Sequence, residues 1–124
     1  MKLILVSLIS LVSVVLTTCP KKKINCFKGK LVDKGACVNY TISVIEGNID
    51  TSLIVPQWTN EANGKTYHNV FALGSRCSFP ADINEGDEFY FTLDAAPQNC
   101  AVCMIYYPTP PKKLSIKASK TACP

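Results

Sequence analysis

Seven cysteines, at positions 19, 26, 37, 77, 100, 103 and 123, constrain this 124-residue chain more than any other feature. A short chain so rich in cysteine closes its fold with disulfides where a small core alone gives too little stability. Disulfides need an oxidising compartment, and the first eighteen residues offer a route to one. Lys2 supplies a cation, the run from Leu3 to Leu16 is apolar with interspersed serines, and Thr17-Thr18 closes it with small hydroxyl residues. That is the order of a secretory signal peptide. A membrane-spanning helix needs about 20 apolar residues. This run is shorter and stops at Cys19-Pro20-Lys21-Lys22-Lys23, where proline breaks a helix and three ammonium groups stay in water. Residues 1–18 are therefore expected to be a cleaved signal peptide, an uncleaved anchor being the alternative. Residues 19–124 are then the mature, secreted, extracellular domain. Cleavage after Thr18 puts Leu16 at the minus-three position, and cleavage after Thr17 puts Val15 there.

Removing residues 1–18 leaves 106 residues (124 minus 18) and lowers the formal side-chain charge from +4 to +3 by the loss of Lys2. That length supports one domain. No later stretch is apolar for long enough to cross a bilayer, so no membrane span is expected after processing. All seven cysteines survive. Three bridges leave one thiol over, as a free thiol or an intermolecular link, and there are about 105 ways to choose them. Cys100-Ala101-Val102-Cys103 has the spacing of a redox or metal motif. With no second such pair and His68 as the single histidine, structural bridging is expected instead, with no metal and no cofactor.

Beyond Cys19, apolar residues alternate with polar ones more often than they recur at helical spacing. Val38, Tyr40, Ile42 and Val44 alternate with Asn39, Thr41 and Ser43, and Phe89, Phe91 and Leu93 with Glu88, Tyr90 and Thr92. Each pattern describes a strand with one face in the core. Residues 101–107 are apolar on both faces, as in a central strand. Residues 27–32 and 65–73 are further candidates. Turn chemistry separates these runs at Asp33-Lys34-Gly35, Gly47-Asn48, Asn63-Gly64, Gly74-Ser75, Asn84-Glu85-Gly86 and Ala96-Pro97-Gln98-Asn99. Five short strands so punctuated predict an all-β, small five-stranded barrel, since closure removes unpaired edges. Residues 51–63, with Pro56 and Trp58, are expected to form a long loop. Residues 112–120 fit either a last strand or a short terminal helix.

Catalytic patterns are poor, and an enzyme is the least supported class. His68, between Tyr67 and Asn69, has no nucleophile motif beside it. Asp82, Glu85, Asp87 and Glu88 precede a strand and are read as a solvated loop. Nothing predicts a nucleic-acid partner. Asn39-Tyr40-Thr41 is an N-glycosylation acceptor, and the strand alternation turns Asn39 away from the core. Lysines collect early (Lys21, Lys22, Lys23, Lys28, Lys30, Lys34) and late (Lys112, Lys113, Lys117, Lys120). Brought together, they would make a positive face for sulfated polysaccharide or an acidic partner; otherwise they are an ordinary solubilising surface.

A cysteine at the mature amino terminus, another before the first strand, the run Cys77-Ser78-Phe79-Pro80-Ala81-Asp82-Ile83-Asn84-Glu85-Gly86-Asp87-Glu88-Phe89-Tyr90-Phe91, a cysteine near 100 and a last one at Cys123 form a pattern. The pattern resembles the netrin-like domain of tissue inhibitors of metalloproteinases. The resemblance implies an OB-type five-stranded barrel with Cys19 bridged to Cys77, Cys26 to Cys123, and Cys37 to Cys100 or Cys103. It also implies a secreted metalloproteinase inhibitor in which the amine and carbonyl of Cys19 chelate the zinc of an extracellular target protease and Pro20 contacts it. An α-amino group titrates near ~7.7–8.0, so a neutral fraction exists at physiological pH for zinc to bind. Such inhibitors begin Cys-x-Cys, whereas this chain has Cys19-Pro20-Lys21, and their second domain is not expected here.

The chain is also similar in appearance to small single-domain secreted proteins of parasitic nematodes, some thought to act on host immunity. The alternative function is therefore an immunomodulatory, matrix- or host-receptor-binding module that keeps the barrel without protease inhibition. It would engage its partner through the basic face and loops such as Gln57-Trp58-Thr59. A third reading takes Leu16-Thr17-Thr18-Cys19 as a bacterial lipoprotein signal with Cys19 acylated.

Overall fold

A computed structural model describes residues 25–124 apart from residues 96 and 102. Cys19 and Pro20, and with them the expected signal peptide, lie outside the described residues. The described residues are all-β, with seven strands: β1 Phe27–Lys34, β2 Tyr40–Glu46, β3 Val55–Thr59, β4 Thr66–Leu73, β5 Glu88–Leu93, β6 Lys113–Leu114 and β7 Ile116–Ser119. They join one sheet in the order β3-β4-β2-β1-β5-β7, with β6 paired to β4. β4 and β6 run parallel, and the other pairs are antiparallel. The last segment, interrupted at Ser115, thus hydrogen-bonds to β4 through β6 and to β5 through β7. Ser75 fixes that interruption, since its hydroxyl accepts from the Ile116 amide and donates to the Ile116 carbonyl, both at 2.8 Å.

The period-two pattern places the core. Phe27, Gly29, Leu31 and Asp33 are the buried positions of β1, and Phe89 and Phe91 those of β5. Phe91 packs on Phe27 at 5.4 Å and on Phe71 at 5.6 Å between ring centroids, and Phe89 on Phe79 at 5.5 Å. Ile42, Ile83 and Ile116 complete this apolar centre. Gly29 lets the rings in, because a Cβ there would lie 3.0 Å from Phe91 and 3.2 Å from Phe89. Any larger side chain overpacks the core.

Several expectations need correction. The described residues of the run 101–107 form no strand; Met104 is 94%, Ile105 62% and Tyr106 81% exposed. Bridges at Cys100 and Cys103 hold this run outside the sheet, and β6 and β7 occupy the ladder it was expected to fill. Residues 51–63 are not a long loop. They contain a 3-10 turn at Thr51–Leu53, capped where Asp50 accepts from the Ser52 amide, and the edge strand β3. Residues 112–120 resolve to strand rather than helix. Val38 and Asn39 precede β2 at a 3-10 corner, and Thr41 is buried rather than outward.

Three disulfides staple the domain: Cys26–Cys123, Cys37–Cys103 and Cys77–Cys100. The first was implied by the resemblance, and the second selects between its two options. The third overturns the implied Cys19–Cys77 bridge. The six cysteines of the described residues are thus paired among themselves.

Candidate functional site

Two of the three bridges converge on one stretch. Cys100 ties back to Cys77, after β4, and Cys103 to Cys37, at the corner between β1 and β2. Between Cys103 and Tyr107 the chain is exposed and carries Met104, Ile105 and Tyr106. Three attachments fix this arm. Besides the Cys37–Cys103 bridge, Asn39 Nδ2 donates to the Ile105 carbonyl at 3.3 Å and to the Ala36 carbonyl at 2.8 Å. Farther on, the Tyr107 hydroxyl donates to Asp33, at 3.0 Å to Oδ1 and 2.9 Å to Oδ2. Asn60 Nδ2 donates to the same carboxylate at 2.6 Å, and Asn60 Oδ1 accepts from the Ala62 amide.

The corner beneath the arm is strained. Cys37 and Val38 both sit at φ 59°. The left-handed region is a genuine outlier for a β-branched residue such as Val38, and strain of this kind gathers at functional sites. The Cys37–Cys103 bridge and an Arg76 Nη2 hydrogen bond to the Cys37 carbonyl hold the corner in place. Gly35 is required there for space. A Cβ would fall inside van der Waals distance of the Tyr107 ring and the Asn39 carbonyl.

Comparison with protein-family models, with curated proteins and with solved structures yields no match.

The other expected residues scatter. His68 is exposed on β4 opposite Gln57 of β3, and its carbonyl accepts from the Ser43 hydroxyl. Trp58 belongs to β3, half-buried and stacked on its cross-strand neighbour Tyr67 with ring centroids 6.2 Å apart. The acids before β5 serve the turn: Asp87 accepts from the Asn84 amide, and Glu85 from the Lys34 amide. No group of three metal-ligating side chains gathers among the described residues. Nor is any helix of the described residues long and apolar enough to cross a membrane.

The Cys26–Cys123 bridge does bring the two ends together, but the described lysines are interleaved with acids. Lys28 pairs with Glu88 at 3.2 Å, and Lys120 with Asp87 at 3.4 Å. Hydrogen bonding and charge from Glu88 raise the Lys28 pKa, while the Asn84 amide, ahead of Lys120, lowers that of Asp87. Across the ladders Lys28 also faces Glu46, and Lys30 faces Glu88. Elsewhere, a shallow groove of about 350 Å³ opens beside Val44, Ile45, Gly47 and Asn69. Asn39, the glycan acceptor, is half-exposed with its amide committed to Ala36 and Ile105.

Sequence reading did not find the arm or its buried anchor. Asp33, Asn60 and Tyr107 lie far apart in the chain. The available signal was the pair of cysteines three apart that opens the apolar run 101–107.

Proposed function

We propose that this chain is a secreted, disulfide-stapled module of the netrin-like, TIMP-like kind that binds an extracellular protein through its loops rather than by zinc chelation at Cys19. The circuit of pairings β4-β2-β1-β5 with the β6–β7 segment supports reading the sheet as the five-stranded barrel. The observation that carries the choice is the Cys77–Cys100 bridge. Chelation by a terminal residue needs that residue aimed beforehand, and a disulfide at Cys19 would have reduced the ordering cost. Cys77 is already taken. The exposed, multiply tethered arm at residues 103–106 offers pre-ordered apolar contact surface instead, of the kind that marks an interaction site.

The zinc-chelating reading of Cys19 and Pro20 keeps one support, the Cys26–Cys123 bridge. One experiment separates the two. Protein beginning at Cys19 and protein with one added residue ahead of it are assayed against the catalytic domain of a matrix metalloproteinase and cross-linked to partners in extracellular fluid. Equal partner recovery by both forms, with no metalloproteinase inhibition, is expected. Inhibition that disappears on extension overturns the proposal.

A further inference from the structure

We infer that residues 103–106 act as a substrate-like segment that occupies the active-site cleft of an endopeptidase with an apolar primary pocket, Met104 entering that pocket. This rests on the loop-binding reading above and names the partner class. Met104 is the most exposed of the large apolar residues, at 94%. It is fastened on both sides: the preceding residue, Cys103, is bridged to Cys37, and the carbonyl of the following residue, Ile105, accepts from Asn39. Two residues further on, Tyr107 is pinned to Asp33. Among the described residues, 103–106 make no backbone–backbone hydrogen bond. The arm therefore carries main-chain groups that no ladder uses, with the Ile105 carbonyl held by Asn39, and a protruding apolar side chain, all fastened before any partner arrives.

These features select among occupants. A bilayer would take the apolar side chains but leave the unpaired amides and carbonyls unsatisfied in hydrocarbon, which costs several kcal/mol each. A second copy offers the outer edges of β3 and β7, each paired on one side, and β7 is blunted by its four-residue length and by Lys117. Pro56 within β3 has no amide to contribute. A peptide-binding cleft supplies both needs, an edge strand for the main chain and a pocket for one side chain. No residue from Gln98 to Pro111 carries a charge, so docking desolvates none.

The tethers also account for inhibition in place of digestion. Attack by a protease serine on the Met104 carbonyl would form an ester, break the Met104–Ile105 bond and leave the hydroxyl proton on the Ile105 nitrogen. With Cys103 and Tyr107 both anchored, that amine stays beside the ester. Its return attack re-forms the peptide bond and restores the serine, with no water consumed.

The test uses the mature protein, with a chymotrypsin-type and an elastase-type serine endopeptidase as probes against small chromogenic substrates. Competitive inhibition of at least one is expected. Met104→Asp should weaken it about tenfold or more, and Met104→Leu should change it by less than about threefold, as for a pocket-filling anchor. Urea midpoints confirm that both variants fold. The inference is overturned by absence of inhibition with both probes, by inhibition that Met104→Asp leaves unchanged, or by rapid cleavage after Met104 without inhibition. Lipid-vesicle binding or self-association that Met104→Asp abolishes would assign the arm to a membrane or a second copy, and would overturn it equally. If Met104→Asp still recovers the extracellular partner, this inference fails while the loop-binding reading stands. If no form recovers any partner, the loop-binding reading itself fails.

Discussion

The phenolic hydroxyl of Tyr107 lies 2.9 Å from one carboxylate oxygen of Asp33 and 3.0 Å from the other, joining the exposed arm to the buried end of β1. Asp33 is 5% exposed, and no lysine or arginine forms an ion pair with it among the described residues. Its negative charge is met by the neutral donors of Tyr107 and Asn60. Tyr107→Phe removes one of them while keeping the ring. A hydrogen bond to a charged group contributes about 1.5–3 kcal/mol, and that loss is expected in urea unfolding at neutral pH. Asn39→Ala, which frees the exposed Ile105 and Ala36 carbonyls to water, should cost less.

The same contact predicts a pH dependence. Burial, and then the hydrogen bond to Asp33, raise the pKa of Tyr107 above its ordinary value near ~10. The folded state thus favours the protonated phenol. The stabilisation is complete below pH ~10 and is lost as pH rises through the folded-state value. Burial raises the phenols of Tyr40 and Tyr67 as well, so they share the slope. Urea midpoints measured from pH 8 upward should fall above about pH 10, and less steeply in Tyr107→Phe. An equal slope in both proteins would remove Tyr107 from the account.

How much of this was legible depends on whether the signal was local. The strands β2 and β5 were visible as apolar–polar alternation, and β1 and β4 only as runs of residues that tolerate a pleat. The edge strand β3 was not, since Pro56 and Trp58 within five residues read as a loop and only its pairing to β4 makes it a strand. Residues 101–107 misled for a different reason. A fully apolar run has no period, and burial is its default reading. What turned Met104 and Tyr106 outward is the pairing of Cys100 with Cys77 and Cys103 with Cys37, which spacing does not determine. The Asp33–Asn60–Tyr107 anchor spans β1, the turn after β3 and the arm, and leaves no mark in any one segment.

Gly35 offers a steric test of the arm. Its missing Cβ is the space that the Tyr107 ring occupies. Gly35→Ala should displace that ring, lower stability by about 1–3 kcal/mol through overpacking, and loosen the arm. Proteolysis between residues 104 and 107 reads the loosening, and faster cleavage than in the parent protein is expected. Gly64→Ala is the control, because a Cβ there meets nothing within 4 Å, although its φ of 70° adds a local cost confined to the β3–β4 turn.

Thr41 is fully buried, and its hydroxyl oxygen has no hydrogen-bond partner among the described residues. A buried hydroxyl without a partner costs about 1–3 kcal/mol, a penalty that the similarly shaped valine does not carry. Thr41→Val is therefore expected to raise the urea midpoint, by about 1 kcal/mol after losses elsewhere. The same change destroys the Asn39-Tyr40-Thr41 acceptor. Expression in a eukaryotic host, with intact mass measured for both proteins, shows whether Asn39 carries a glycan, separately from the effect on stability. A lowered midpoint without loss of glycan mass would mean that the hydroxyl has a partner after all.

The three bridges differ in the length of chain they close. Cys26–Cys123 spans a separation of 97 residues and Cys77–Cys100 one of 23. If disulfides act by restricting the unfolded chain, the stabilisation grows with the logarithm of loop length, and the ratio of these loops corresponds to about 1.3 kcal/mol. Replacing both Cys26 and Cys123 by alanine should thus lower stability by about that much more than replacing Cys77 and Cys100. The longer bridge also joins the start of β1 to the segment after β7, so its loss should fray the β5–β7 ladder, read as faster amide exchange at Tyr90 and Thr92. The Cys77–Cys100 variant should leave that ladder protected and expose the arm instead. If the two double variants lose equal stability, chain restriction is not how these bridges stabilise the fold.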